Sequence, residues 1–238
     1  MITKTKNNCI NINHTRRCIL CRLNTASDTP ICHECLADLP WIGTACQRCA
    51  NPTITGKLSR VICPTCQKKP PPFDQVIAPF EYRFPVDQLI QLAKFNGQAH
   101  LLNSLAELLS LQLQDKTMPE LIIPVPLHQK RLQERQYNQA ALLAKKIARN
   151  LDIPFNNHLL IKTENTPHQA ELDRKARRKN LRNSFHCIGS PPLSVAVVDD
   201  VMTTGTTAAE ISRVLKAAGC QKVYIWIIAR TAKELHLF

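Results

Sequence analysis

Beyond residue 70 the apolar positions follow two alternating rhythms. "QVIAPFEY" is a short, nearly continuous apolar run and predicts a strand reaching Tyr82. In "PVDQLIQLAKFNGQAHLLNSLAELLSLQLQ" the apolar residues fall three and four apart, which predicts an amphipathic helix, a break at Asn96-Gly97 and a second helix. "ELIIPVPL" predicts a buried strand stopped by prolines. "NQAALLAKKIARNL" predicts a helix with Leu142, Leu143, Ile147 and Leu151 on one face. "LSVAVVDD" is a further strand, "TTAAEISRVLKAAG" a helix ended by Gly219, and "KVYIWIIAR" a last buried strand. Strands that are apolar throughout and alternate with helices predict an α/β fold, with a parallel sheet covered on both faces. Ligands of such sheets bind at the carboxyl ends of the strands.

The rhythm is different before residue 70. Large apolar residues are sparse there, and eight of the eleven cysteines fall in four pairs: Cys18/Cys21, Cys32/Cys35, Cys46/Cys49 and Cys63/Cys66. The first three pairs recur every fourteen residues and the fourth follows after seventeen, which is the arrangement of metal-binding knuckles. Four redox pairs on loops do not suit a thioredoxin-like site, and iron–sulfur motifs are more unevenly spaced. Zinc is the expected metal, in two four-sulfur sites or in one site with free pairs. The spacing does not decide the pairing, and His33 competes for a place. Metal-binding energy explains how so few apolar residues can fold. "KKPPPF" closes this region as a stiff linker, because consecutive prolines resist both helix and central strand. The expected organisation is a tail over 1–17, a cysteine-rich zinc module over 18–70 and an α/β domain over 71–238.

Charge changes the picture of the partners. The chain carries 31 Lys and Arg against 18 Asp and Glu, a formal net charge of +13. Up to and including Asp74 there are ten basic and four acidic residues, so this third is the more basic per residue. Such an excess points to an anionic partner, either nucleic acid or a phosphorylated small molecule. No apolar run approaches the roughly 18–20 residues that span a bilayer. The expectation is therefore a cytoplasmic protein with no membrane insertion.

The chemistry concentrates in "VAVVDDVMTTGTT", Val195 to Thr207. Two carboxylates, Asp199 and Asp200, end a strand, and Thr203, Thr204, Gly205, Thr206 and Thr207 form the loop that opens a helix. Helix N-termini present free N–H groups to a phosphate, threonine hydroxyls add donors, and glycine lets the backbone approach the anion. The carboxylates would repel that phosphate, so they suit adjacent sugar hydroxyls, or a magnesium ion. The first choice describes a grip on a ribose 5-phosphate.

The same string resembles the phosphoribosyl pyrophosphate (PRPP) motif of type I phosphoribosyltransferases. In order along the chain, the cysteine pairs, "FDQVIAPFEY", Lys94, "IPVPL", "RQYNQAALLA" and "TPHQAELDRKARRKNLRNSF" resemble the ComF family of competence proteins. This implies a domain of the type I phosphoribosyltransferase kind, with Asp199 and Asp200 on the ribose hydroxyls and Thr203–Thr207 around the 5-phosphate. Lys130, Arg131 and Arg135, after "IIPVPL", are candidates for the pyrophosphate, and Arg177 for a substrate-closing loop. Gln136 stands where the family has glycine, which weakens the pyrophosphate half if that position needs positive φ. The implied cofactors are structural Zn²⁺, and Mg²⁺ with PRPP. The implied partners are single-stranded DNA during natural transformation and other competence proteins. An active transferase of unknown acceptor, or a PRPP-sensing regulator, is the alternative. Trp41, Phe73 and Tyr137 are the aromatic residues nearest the basic regions and are expected in the core or at interfaces, so DNA contact would rest on phosphate charge.

Overall fold

The structure is a computed structural model that describes residues 16–25, 29–53, 61–95, 98–163 and 184–232. The chain divides into two compact units, Met1–Asp38 and Leu39–Phe238, and the division falls inside the segment 18–70 that carries all four cysteine pairs. The Asn96-Gly97 break and the basic segment around Arg177 lie outside the described residues.

The smaller unit pairs β1 (Arg16–Arg17) antiparallel with β2 (Asn24–Thr25) and adds a short helix, α1 (His33–Ala37). With so little apolar surface, its shape depends on turns. The Arg22 N–H returns to the Cys18 carbonyl at 3.0 Å, and Arg22 takes a left-handed φ of 66° to do so.

The larger unit is built on a parallel sheet. β3 (Gln75–Ile77), β4 (Phe80–Glu81), β5 (Leu121–Pro124), β8 (Ser194–Met202) and β9 (Lys222–Arg230) form it in the order β3-β9-β8-β5, with β4 also on β9. Every pairing is parallel, as the uninterrupted apolar strands predict. The run "QVIAPFEY" makes two short strands instead of one. Pro79 has no N–H to donate to the ladder, and its carbonyl accepts the Ile42 N–H at 2.8 Å. A separate antiparallel ribbon joins β6 (Leu160–Lys162) to β7 (Phe185–Cys187).

Among the described residues of this unit there are four longer helices: α3 (Val86–Phe95), α4 (His100–Leu113), α6 (Gln139–Leu151) and α7 (Thr206–Ala217). Short ones are α2 (Pro64–Lys68) and α5 (Gln129–Arg135). The buried face of α6 is Gln139, Ala140, Leu143, Ala144, Ile147 and Ala148, while Leu142 and Leu151 are half-buried. The helix has turned its alanines inward because small side chains permit close approach, here to α4 and to the sheet. Phe73, at the end of the proline run, is 3% exposed and belongs to the main core.

The turn between α5 and α6 settles the physical point raised by Gln136. Gln136 has φ 64° and ψ −15°, the left-handed conformation that glycine adopts freely and other L-residues only at a cost of roughly 1–2 kcal/mol. Gln136→Gly is therefore expected to raise the unfolding free energy by about 1 kcal/mol, after part of the relief is lost to the more flexible unfolded chain. A melting temperature at or below that of the parent in a thermal scan would contradict this.

Candidate functional site

The cysteines sort themselves by fold. Cys18, Cys21, Cys32 and Cys35 converge in the smaller unit, and Cys46, Cys49, Cys63 and Cys66 in the larger, with the sulfurs of each group within 4.8 Å of one another. The two groups are built alike. In each, the first pair forms a loop whose following residue, Arg22 or Ala50, is left-handed, and the second pair begins a short helix, with Cys32 or Cys63 as the residue before it. His33 is exposed on its helix and takes no part.

The geometry fits zinc. A tetrahedral Zn–S bond of about 2.3 Å implies sulfurs about 3.8 Å apart. Cys21 and Cys32 stand 3.7 Å apart, and Cys49 and Cys63 3.8 Å. The Cys63 N–H donates to the Cys46 sulfur at 3.3 Å. Burial pushes the Cys35 and Cys66 thiols up to about 12, while hydrogen bonds draw Cys18 down to about 6 against its burial and Cys46 down to about 4, so four close sulfurs of this kind need a cation to be thiolates together. The two four-cysteine groups thus support structural zinc, and the pairing left open by the spacing is first with second and third with fourth.

The second site lies at the carboxyl end of β8. A pocket of about 120 Å³ is lined by Asp199, Thr203, Thr204, Gly205, Thr206 and Thr207, with Val125, Val197, Met202, Ile225 and Ile227 among its apolar walls. Gly205 has φ 78° and precedes α7, whose first N–H groups have no acceptor within the helix. The Thr206 N–H reaches the Thr204 hydroxyl at 3.3 Å, and the two hydroxyls lie 2.8 Å apart. These donors converge on a space with room for a small anion.

Neighbouring strand residues face opposite sides, and the two acids divide accordingly. Asp199 lines the pocket. Asp200 is 8% exposed and accepts the Lys94 ammonium at 2.8 Å. The Asp200 N–H also donates to Asp199 Oδ1 at 2.9 Å. Burial raises the Asp199 carboxyl to about 7 and the Asp200 charge adds to this, while the Lys94 and Lys162 charges and the Asp200 N–H oppose it. Lys162, on β6, is itself held below its ordinary value by burial and by the Arg131 charge, with Asp199 pulling the other way.

Among the other candidates, Arg131 and Arg135 are half-buried on α5 and Lys130 is exposed at its start. Arg131 acts electrostatically on Lys162, which Asp199 also acts on. Arg135 Nη1 donates to Gln139 Oε1 at 3.4 Å. The aromatics are occupied elsewhere: Trp41 packs on Phe80 with centroids 4.5 Å apart, Phe73 is buried, and Tyr137 donates its hydroxyl to the Ala93 carbonyl. Lys162 and Arg230 carry charge at or beside these sites without having been singled out in the sequence. Lys162 lies far from the threonine loop along the chain and has no local signal. Arg230 does have one, as the cation that ends a wholly apolar strand.

Comparison with known proteins places this architecture. Residues 10–67 match the double zinc ribbon domain, in agreement with the two like-built cysteine groups. Over 228 residues the chain is 36% identical to Competence protein F of Haemophilus influenzae, covering 90% of this chain and 96% of that one. It is 32% identical to the DNA utilization protein YhgH of Escherichia coli O157:H7, with the same 90% and 96% coverage. Among solved structures it matches orotate phosphoribosyltransferase from Aeropyrum pernix at 22% identity and a TM-score of 0.34, over 55% of this chain and 60% of that one. Identity at this level across almost the full length of both chains, with the cysteine groups assembled in space, shows that the protein belongs to the ComF family of competence proteins.

Proposed function

We propose that this chain binds Mg-PRPP at the end of β8 and handles single-stranded DNA in the cytoplasm during DNA uptake. The observation that carries the reading is the pocket itself, where a left-handed glycine and four threonines open a helix across from a strand-end carboxylate. In this reading the loop takes the 5-phosphate through N–H and hydroxyl donors. Asp199 takes the ribose hydroxyls from inside the pocket, and Asp200, anchored by Lys94, completes the acidic end. Mg²⁺ arriving with the ligand would offset the charge of its pyrophosphate, with Arg131, Arg135 and Lys130 as the described cations proposed for that half and Arg177 as a candidate outside the described residues. The relatives named for competence and for DNA utilization support the DNA part, as does the net charge of +13. Phosphate contact by lysine and arginine needs no stacking platform, which agrees with the engaged aromatics. Other competence proteins are the natural partners of such a protein.

The test is calorimetric titration with Mg-PRPP, together with fluorescence anisotropy of a labelled single strand across a salt series. Binding of PRPP is expected, with loss of at least about 100-fold in affinity in the D199A/D200A double variant, which removes the pocket carboxylate and the Lys94-paired carboxylate beside it. DNA affinity is expected to fall about 50-fold between 50 and 200 mM salt if about four phosphates are contacted. Unchanged PRPP affinity in the double variant would remove the ribose assignment. Absence of DNA binding at low salt would assign the basic charge to the small ligand and turn attention to an acceptor substrate.

A further inference from the structure

Arg230 is a buried cation that donates four hydrogen bonds to backbone carbonyls. It has 0% exposure and is the only lysine or arginine among the buried polar residues described. Its Nε donates to the Cys49 carbonyl at 3.1 Å, and its Nη1 donates to the Met202 carbonyl at 2.8 Å, to the Thr231 carbonyl at 2.7 Å and to the Thr203 carbonyl. Nη2 is buried without a hydrogen-bond partner among the described residues, and none of the ion pairs found there includes Arg230. An arginine buried without a counter-charge is costly. The bond from Nε to the Cys49 carbonyl sets the guanidinium against a residue of the Cys46/Cys49/Cys63/Cys66 group.

The same deficit exists on the other side with the opposite sign. A dication held by four thiolates leaves a net double negative charge, and all four sulfurs of this group sit in the main core. We infer that Arg230 is the counter-charge of the Cys46/Cys49/Cys63/Cys66 metal centre, and that its second set of bonds makes the Met202–Thr203 backbone sense whether that centre is loaded. Cys49 and Arg230 are 181 positions apart in the chain, yet one guanidinium holds the knuckle's carbonyl and the first carbonyls of the threonine loop. When the metal–thiolate charge is lost, the guanidinium loses its compensation and the loop loses its fixed point. Arg230 is a positioning residue. It reaches the pocket only through the backbone that it holds. The consequence for ligand affinity rests on the reading of the threonine loop as a phosphate cradle; the link from metal to loop does not.

The experiment uses the full chain loaded with cadmium, and its variants Arg230→Met and Arg230→Lys. Cadmium NMR should give one resonance for each four-cysteine group. Arg230→Met is expected to shift one of the two and to speed chelator removal of that ion at least tenfold, with the other unchanged. Amide exchange across Thr203–Thr207 should quicken at least tenfold in Arg230→Met, and equally in the parent after that ion is removed. Arg230→Lys should restore metal retention through its charge without restoring loop protection, because an ammonium cannot reproduce the planar fork. Should Arg230→Met fail to fold, the lysine variant and the parent with that metal removed carry the same comparison. An unshifted cadmium spectrum in the variants, or loop exchange indifferent to metal removal, would overturn the inference. Mg-PRPP affinity measured in parallel separates the two claims. Exchange that responds to metal while PRPP does not bind leaves the link standing and removes the ligand assignment.

Discussion

Serine at Cys49 and Cys63 is expected to release the metal of their group and to lower the melting temperature of the Leu39–Phe238 unit by at least about 10 °C. Both sulfurs are buried in one core cluster with Val197, Met202, Ile211 and Ile225 from the sheet and its helix. Structural zinc supplies roughly 10–16 kcal/mol of binding energy, and a domain's whole stability is about 5–15 kcal/mol. Removing two of four ligands therefore takes away an amount comparable with the unit's reserve. Serine adds a second penalty, since two hydroxyls would be left in an apolar core, at about 1–3 kcal/mol for each unsatisfied group. Fluorescence of Trp226, which is 0% exposed in the sheet, reports the loss directly. The same change at Cys18 and Cys21 should leave the Trp226 signal in place, because those ligands belong to the other unit. A zinc-free C49S/C63S protein that melts cooperatively at the parental temperature would exclude a structural role for this centre.

The second large effect concerns Asp199, where stability and binding are expected to move in opposite directions. Its carboxyl is raised to about 7, first by burial and then by the Asp200 charge. The folded protein thus keeps a proton that the unfolded chain releases near the ordinary value of 3.8. Stability is therefore lost as pH rises from about 4 through 7, and the loss is complete above that window. Asp199→Asn removes the ionisation while keeping the shape. At pH 8 it should stabilise the ligand-free protein by about 1–3 kcal/mol, given about 1.4 kcal/mol per pK unit and a side chain not wholly removed from water. Near pH 4 the difference should vanish. Mg-PRPP affinity should fall at least about 100-fold in the same variant, since an amide cannot replace a charged acceptor. In the parent, affinity should rise about tenfold between pH 6 and pH 8 as Asp199 ionises. Parallel melting curves of the two proteins across pH would show that Asp199 is ionised throughout and remove the argument.

Much of this was legible in the chain because the signals are local. The alternation of apolar runs predicted the parallel sheet, and the CxxC spacing predicted four metal-binding knuckles but not how they combine into two groups. The threonine-glycine loop after two acids marked the end of β8, and the glycine missing at Gln136 pointed to a strained turn that the φ of 64° displays. What could not be read locally was set by contacts across long separations. The interruption of the first strand depends on where Pro79 meets β9 and Ile42. The inward face of α6 depends on which helix it meets, so its alanines rather than Leu142 and Leu151 are buried. Lys162 comes to Asp199 through the pairing of β6 with β7, a ribbon with too few residues to announce itself. The division of Asp199 from Asp200 was available in principle, because strand residues alternate in direction, but which side held the pocket required the sheet.

The strand order has a consequence for the time course of synthesis. β9 is the last described strand to leave the ribosome, yet it lies in the interior of the sheet, between β3 and β8. Until it emerges, β8 has only β5 beside it, β3 and β4 have no partner in the sheet, and the knuckle of Cys46 and Cys49 has no guanidinium against it. The Leu39–Phe238 unit therefore assembles late and nearly at once, through contacts of long sequence separation that form slowly. A nascent chain that stalls before Lys222 presents metal ligands and apolar strand edges with nothing to cover them, which makes it a substrate for chaperones or proteases.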